Sequence, residues 1–237
     1  VIIHEAPQGS PEWHVARAGV ITASTAKTII TPAKYGANKG GFSETALSLA
    51  FRLAIERISG QPLSEGVSTW AMDRGHELEP EARGEHELST GHVVQCAGFI
   101  TTDDELFGAS VDGLIGDDGG AEYKCFIDAV KLRAIIVDRD LSEVIDQCQF
   151  GMAVTGRKWW DFGLYCPALR PIDRHFICHR IDRDDDYIDK KMWPMMLAFN
   201  RQVEQYRSIL LAGDVPVIAA SRATPSVLPI QLDDIFS

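Results

Sequence analysis

Two carboxylates and an ammonium group are drawn toward one point by the stretch Ser110-Val111-Asp112-Gly113-Leu114-Ile115-Gly116-Asp117-Asp118-Gly119-Gly120-Ala121-Glu122-Tyr123-Lys124-Cys125. The Asp117 to Gly120 run is a tight turn, so the strands on either side lie next to each other and bring Asp112 beside Glu122. Glu122 and Lys124 are two apart in an extended segment, so their side chains leave the same face. Clustered carboxylates repel unless a cation sits between them. Oxygen ligands select a hard ion, Mg²⁺ or Mn²⁺, over zinc. Such an ion polarises a phosphoryl oxygen and makes hydroxide available near neutral pH. Lys124 can hold the attacking water and balance charge building on phosphorus. These parts suit phosphodiester hydrolysis. Spacing alone leaves a second reading open, in which Asp112 and the Asp117 to Gly120 run are ordinary turn residues and Glu122 and Lys124 an exposed pair.

The elements that must position these groups follow from periodicity. Ser10-Pro11-Glu12-Trp13 reads as an N-cap with proline at the first helical position, opening a short helix that ends at Gly19. A second start follows, with Thr22 or Ser24 as its cap, and residues 32–41 read as loop. Leu47, Ala50, Phe51, Ala54, Ile55 and Ile58 recur at helical spacing over residues 44–58, which Gly60 and Pro62 close. Residues 69–89 are helix-like, but Pro80 and Gly84 predict a kink or two segments. Residues 92–100, 106–110, 112–116 and 121–126 read as a β-meander with acids at its strand ends. A helix over 142–155, capped by Ser142, is followed by strands at 158–166 and 174–181. A long helix over 184–212 opens on Asp184 to Asp186, with Pro194 bending or splitting it. The expected fold is α/β (α+β), a central mixed β-sheet flanked by helices. One domain spans 1–212, and 213–237 is an extended tail packed on it or on a neighbouring subunit.

Length and composition exclude several classes. The 237 residues are enough to hide roughly 70 % of the unfolded surface. At 45 % apolar and 24 % charged, the composition is that of a globular protein, without a run of apolar residues that would span a bilayer or a secretory leader. The five cysteines, Cys96, Cys125, Cys148, Cys166 and Cys178, include no C-x-x-C pair. They suggest neither a disulfide framework nor a zinc ribbon, and a reducing cytoplasm is the expected compartment. The net charge of −11 argues against a protein that coats DNA broadly, though not against basic patches inside a cleft.

Taken in order, the motifs resemble the PD-(D/E)XK nuclease superfamily, and within it the lambda-type alkaline exonucleases of phage recombination. The resemblance covers roughly residues 10–165. Trp13-His14-x-x-Arg17-x-Gly19-Val20-Ile21-Thr22-Ala23-Ser24 is similar to that family's N-terminal motif, and Gly75-x-x-x-Glu79-x-x-Ala82-Arg83 to its acidic helix. Ser110-x-Asp112-Gly113 and Glu122-x-Lys124-Cys125 resemble its metal site, and Gln147-x-Gln149 falls where it has a glutamine-bearing helix. The resemblance implies a restriction-endonuclease-like core holding one or two Mg²⁺ ions, with Mn²⁺ able to substitute. Asp112, Glu122 and the Tyr123 carbonyl would be ligands, Glu79 would reach a second ion, and Lys124 would orient the water. Arg17, Ser24 and Ser110 would bind a 5′-terminal phosphate, and Gln147 would support the site or contact DNA. Val111 and Phe126 stand where the family often has proline. The basic residue expected after the metal strand is displaced by one position to Lys131, with Arg133 a weaker choice.

The implied activity is 5′→3′ digestion of one strand of linear duplex DNA to 5′-mononucleotides, leaving a 3′ overhang for strand annealing. The implied assembly is a homotrimeric ring that works with a single-strand annealing protein and no membrane. Two other readings stay open: a restriction-type endonuclease on the same core, and a catalytically silent DNA- or protein-binding module. An iron–sulfur nuclease is disfavoured, because the cysteines form no late triplet. His14 is expected to pack beside Trp13, and Trp159 and Trp160 to serve the core or a subunit interface.

Overall fold

The computed structural model describes residues 1–63, 70–125 and 128–213. The expected tail over 213–237 therefore lies, but for its first residue, outside the described residues, as does Phe126.

The mixed sheet is divided in two. In the first, the order is β1 (Ile2–His4), β3 (Phe99–Thr101), β4 (Phe107–Ser110), β2 (Ile21–Thr22). Its β1–β3 and β3–β4 pairs are antiparallel, and β2 joins β4 in parallel. In the second, β5 (Gly113–Ile115), β6 (Gly119–Lys124), β7 (Trp159–Tyr165) and β8 (Phe176–Asp182) follow one another, with β6–β7 parallel and the outer pairs antiparallel. The chain passes from β4 in one sheet to β5 in the other through Val111 and Asp112, so Asp112 stands at their junction.

Local signals explain most helices. Ser10 accepts a hydrogen bond from the Trp13 N–H and caps α1 (Pro11–Arg17), and Ser43 does the same for Ala46 at the start of α3 (Glu44–Ser59). A 3₁₀ turn (Ala23–Thr25) leads into α2 (Ala26–Ile30). Neither Thr22 nor Ser24 caps it: Ser24 lies inside the turn, and its hydroxyl meets the Thr22 hydroxyl at 3.2 Å. α4 (Trp70–Thr90) is one helix of 21 residues through Pro80, not two segments. Proline removes a single N–H, and the rest of a long helix outlasts that loss.

The other departures have equally local causes. The extended segment expected over 92–100 is a strand only in Phe99–Thr101, and ahead of it Gln95 makes an isolated bridge to Leu114. Helix α5 (Ala129–Ile136), which lies outside the elements expected from the sequence, is capped by Asp128, which accepts from the Val130 N–H. α6 (Ser142–Thr155) has the expected bounds, but Asp140 accepts the Ser142 N–H, and the Ser142 side chain makes no cap. After α7 (Asp185–Tyr187), a π-helical segment (Ile188–Met192) precedes α8 (Trp193–Ala212). Pro194 thus closely follows the π-helical segment, in a run that is helical from Asp185 onward.

The main core joins α2, α3, α6 and α8 to the first sheet and to β7, with Phe42 edge-on to Phe199 and Phe107 between Phe150 and Trp193. A smaller apolar seam, including Leu78, Ala82, Ala121, Tyr123 and Tyr165, seats α4 on the second sheet. Phe51 and Ile58, expected on the buried face of α3, are partly exposed, and Leu53 takes the buried position. No helix among the described residues is long and apolar enough to cross a membrane.

Candidate active site

A cleft of about 370 Å³ opens where the two sheets meet. Asp112 reaches it from the β4–β5 junction, Glu122 and Lys124 from β6, Glu79 from α4 and Gln147 from α6. Arg17 on α1, Ser24 in the 3₁₀ turn and Ser110 at the end of β4 line the same cleft. The parallel pairing of Thr22 with Gly108 explains how Ser24 and Ser110, each two residues further on, arrive together.

Glu122 is buried and heavily engaged. Its Oε1 accepts from Lys124 Nζ at 2.6 Å and from Gln147 Nε2 at 2.6 Å, and Gln147 Oε1 accepts from Lys124 at 3.2 Å. Asp112 Oδ2 accepts from the Tyr123 N–H at 2.6 Å, which ties the junction to β6. Burial pushes the Asp112 carboxyl well above its usual range, and the nearby charges of Glu122 and Glu79 push it the same way. Burial alone would lower the Lys124 ammonium, but Glu122 and Asp112 outweigh it and hold Lys124 above the ordinary lysine value. The cleft thus gathers more negative charge than its one lysine balances. Burial, then Asp112 and Glu79, push the Cys125 thiol up to about 12.

The Arg17 guanidinium lies 4.2 Å from the Trp13 ring and 5.3 Å from the Phe99 ring, and donates to the Ser110 hydroxyl. Burial, and then the charge of Arg52, lower it to about 10, so it stays positive at neutral pH. Glu79 pairs with Arg83 at 3.2 Å, and Arg83 also donates to the Asp112 carbonyl at 3.4 Å.

Lys131 is placed differently. It lies on α5, 3.6 Å from Glu143, and is not among the residues lining the cleft. Gly75 and Cys125, which the motifs contain without a role, also line the cleft, as does Gln8, which no motif includes. His14, expected to pack beside Trp13, meets its ring edge-on at 4.9 Å, and Trp13 also lines the cleft under Arg17. The i, i+4 spacing of Trp13 and Arg17 was the available signal. Trp160 is buried in the core, as expected, while Trp159 carries the Arg180 guanidinium 3.5 Å from its ring centre.

Comparison with known proteins fits this geometry. Residues 12–158 match the model of the YqaJ-like viral recombinase domain. The chain is 34 % identical to an alkaline exonuclease from Laribacter hongkongensis (LHK-Exo), covering 86 % of this chain and 97 % of that one, with a TM-score of 0.74. The same exonuclease in complex with dAMP gives a TM-score of 0.73 at the same identity and coverage. A phage related exonuclease from Haemophilus somnus 129PT shares the fold at 17 % identity, with a TM-score of 0.60 and 82 % and 96 % of the two chains covered. No curated protein matches. The matched domain takes in every cleft residue but Gln8, and the chain belongs to the YqaJ-like viral recombinase family, the lambda exonuclease-like nucleases that its motifs resemble.

Proposed function

We propose that the chain is a Mg²⁺-dependent 5′→3′ exodeoxyribonuclease that digests one strand of linear double-stranded DNA to 5′-mononucleotides and leaves a 3′ overhang for annealing. The observation that carries this reading is the single cleft shared by Asp112, Glu122, Lys124 and Glu79 with Arg17, Ser24 and Ser110. The exonuclease identity rests on the family and on the 34 % identity to an alkaline exonuclease over nearly its whole length. That enzyme's complex with dAMP supports a mononucleotide product.

The residues fit a hard divalent ion. Among the described residues, Asp112 Oδ1 and Glu122 Oε2 make no hydrogen bond, whereas the other oxygen of each is held by protein donors. Asp112, Glu122 and the Tyr123 carbonyl would hold the ion, with Glu79 reaching a second. When bound, the ion lowers the pKa of coordinated water and withdraws charge from the scissile phosphate. Lys124, fixed by Glu122 and Gln147, orients the water and offsets charge on the phosphoryl oxygens. Arg17 and the hydroxyls of Ser24 and Ser110 take the terminal 5′ phosphate and set which bond lies at the metal ligands. Gln147 braces Glu122 and Lys124. Lys131, on α5, supplies a supporting backbone contact to DNA. A homotrimeric ring with basic residues lining its channel would reconcile a net charge of −11 with DNA handling, and a single-strand annealing protein would take up the overhang.

The test is a substrate panel: linear duplex with a 5′ phosphate or a 5′ hydroxyl, single strands and closed circles, each with and without Mg²⁺. The 5′-phosphorylated duplex is degraded fastest, only with Mg²⁺, and circles survive. Nicked circles would assign a restriction-type endonuclease instead, and no cleavage of any substrate a silent binding module.

A further inference from the structure

On the far face of β6 from Glu122 and Lys124, the Tyr123 hydroxyl meets His86 Nδ1 at 2.9 Å. The other ring nitrogen, Nε2, lies 3.1 Å from Asp161 Oδ2 on β7, and His86 has no solvent exposure. Asp161 also faces Arg180, which donates to both its oxygens, and His92 Nδ1 at 3.3 Å. The strand register puts these groups on one side of the second sheet: Ala121 pairs with Asp161, and Tyr123 with Gly163. The absent side chain at Gly163 makes room, since a Cβ there would come within 2.7 Å of the Tyr123 ring.

His86 and Glu79 share α4. Seven residues are close to two turns, so His86 sits about 10 Å along the axis from Glu79, within about 20° of its bearing. The apolar seam under this part of α4 is small and is built partly on Ala82 and Ala121. Small apolar contacts resist sliding weakly, whereas a buried, fully partnered polar group has one low-energy register. We propose that His86 is a positioning residue: by bonding the Tyr123 hydroxyl and the Asp161 carboxylate, it fixes α4, and with it Glu79, against the strand that carries Glu122 and Lys124.

Two of these groups, His86 and Asp161, lie with His92 close enough together to hold a metal ion. Arg180 argues against that use. Its guanidinium already occupies both Asp161 oxygens, and a divalent ion on Oδ2 would sit beside a fixed positive charge. Although burial works the other way, the hydrogen bonds and charges of His86 and Arg180 hold the Asp161 carboxyl below the usual range, as expected of a carboxylate already paired.

The inference rests on the proposed role of Glu79 in binding an ion, and the test separates the two. Tyr123→Phe removes only the hydroxyl, and His86→Gln keeps the reach toward Asp161. Turnover and the Mg²⁺ concentration for half-maximal rate are measured for each, alone and with Glu79→Gln. Each single variant should lower kcat about 10-fold or more and raise the Mg²⁺ requirement, with KM for DNA unchanged. In the Glu79→Gln background, neither change should add to the loss, because there is nothing left to position. Losses that multiply, or a lowered Tm with kcat and Mg²⁺ requirement unchanged, overturn the proposal. So does stoichiometric zinc that His92→Ala releases. If Glu79→Gln itself leaves the Mg²⁺ requirement unchanged, the role of Glu79 fails as well. If Glu79→Gln raises it and the other two do not, only the positioning by His86 fails. Tyr123→Phe carries the test if His86→Gln does not fold.

Discussion

Gln147 Nε2 donates to Glu122 Oε1 at 2.6 Å, and that same oxygen accepts the Lys124 ammonium. A triangle closes, because Gln147 Oε1 in turn accepts from Lys124. The amide thus orients both groups at once, and the second Glu122 oxygen makes no hydrogen bond among the described residues. Gln147→Ala should lower kcat about 10- to 100-fold, the usual cost of removing a partner that orients a ligand, with little change in KM for DNA. Gln147→Glu should be worse, because it adds another carboxylate to a cleft already rich in them. Steady-state kinetics over a Mg²⁺ series check both; a Gln147→Glu variant as active as wild type would remove the bracing role.

Lys124→Ala should abolish digestion while leaving the melting curve near that of the wild type. Loss of one preorganised charge at the reacting phosphate costs about 10²- to 10³-fold in kcat. Lys124 is partly exposed at the cleft, and Gln147 still donates to the Glu122 carboxylate in its absence. A fully active, folded variant would sink the nuclease assignment.

The raised Asp112 carboxyl makes stability and metal binding depend on pH in opposite directions. Burial, Glu122 and Glu79 lift it above its ordinary value of 3.8, so the folded chain holds a proton that the unfolded chain has released. Without a divalent ion, stability therefore falls as pH rises from that ordinary value toward the raised one. Mg²⁺ needs the deprotonated form and reverses the loss, so its stabilising shift in Tm should grow with pH across that window and then level off. Asp112→Asn should remove this growth. Melting curves with and without Mg²⁺ over a pH series measure it; a shift independent of pH would show that Asp112 does not bind the ion.

How much of this was legible beforehand varied with how local the cause was. Asp112, Glu122 and Lys124 could be placed together from one turn and a two-residue spacing, because strand geometry acts within a few residues. α1 opens on the Ser10 cap and α3 ends at Gly60, both short-range signals. The convergence of Glu79 and Arg17 on the cleft depends on packing across 30 to 100 positions, and only the family resemblance pointed to it. The Tyr123–His86–Asp161 network was invisible for the same reason: its members lie on three elements, and no spacing relates them. Lys131 shows the limit of reading by offset. The displaced basic residue falls on α5, outside the cleft, and pairs there with Glu143.

Arg17→Ala should act on one class of DNA end. The guanidinium is held by Ser110 and by the faces of Trp13 and Phe99, and remains charged below about pH 10. A charge-assisted hydrogen bond contributes about 1.5–3 kcal/mol, or about 10- to 100-fold in affinity. The variant should lose that factor on 5′-phosphorylated duplex and little on 5′-hydroxyl duplex, so that the preference between them disappears. Equal losses on both ends would move the phosphate site away from Arg17.

Gly19 links the Arg17 end of the cleft to the core and sets a stability prediction. It turns the chain from α1 into β2 with φ of +75°, and a Cβ there would fall 2.5 Å from Arg57 Cγ. Arg57 cannot move aside easily, because it donates to the Gly19 carbonyl, to Asn200 and to Glu204. The Gly19 N–H in turn donates to the buried Glu56 carboxylate at 2.9 Å. Gly19→Ala therefore combines left-handed backbone strain of about 1–2 kcal/mol with overpacking of about 1–3 kcal/mol. Together these lower Tm by about 4–20 °C for a chain of this length. Gly9→Ala isolates the first cost, since Gly9 has φ of +83° and open space around it. Thermal melts should show the Gly19 variant losing at least twice as much as the Gly9 variant. Equal losses would mean that Arg57 yields, and that the corner holding Arg17 is not braced by the α3–α8 pair.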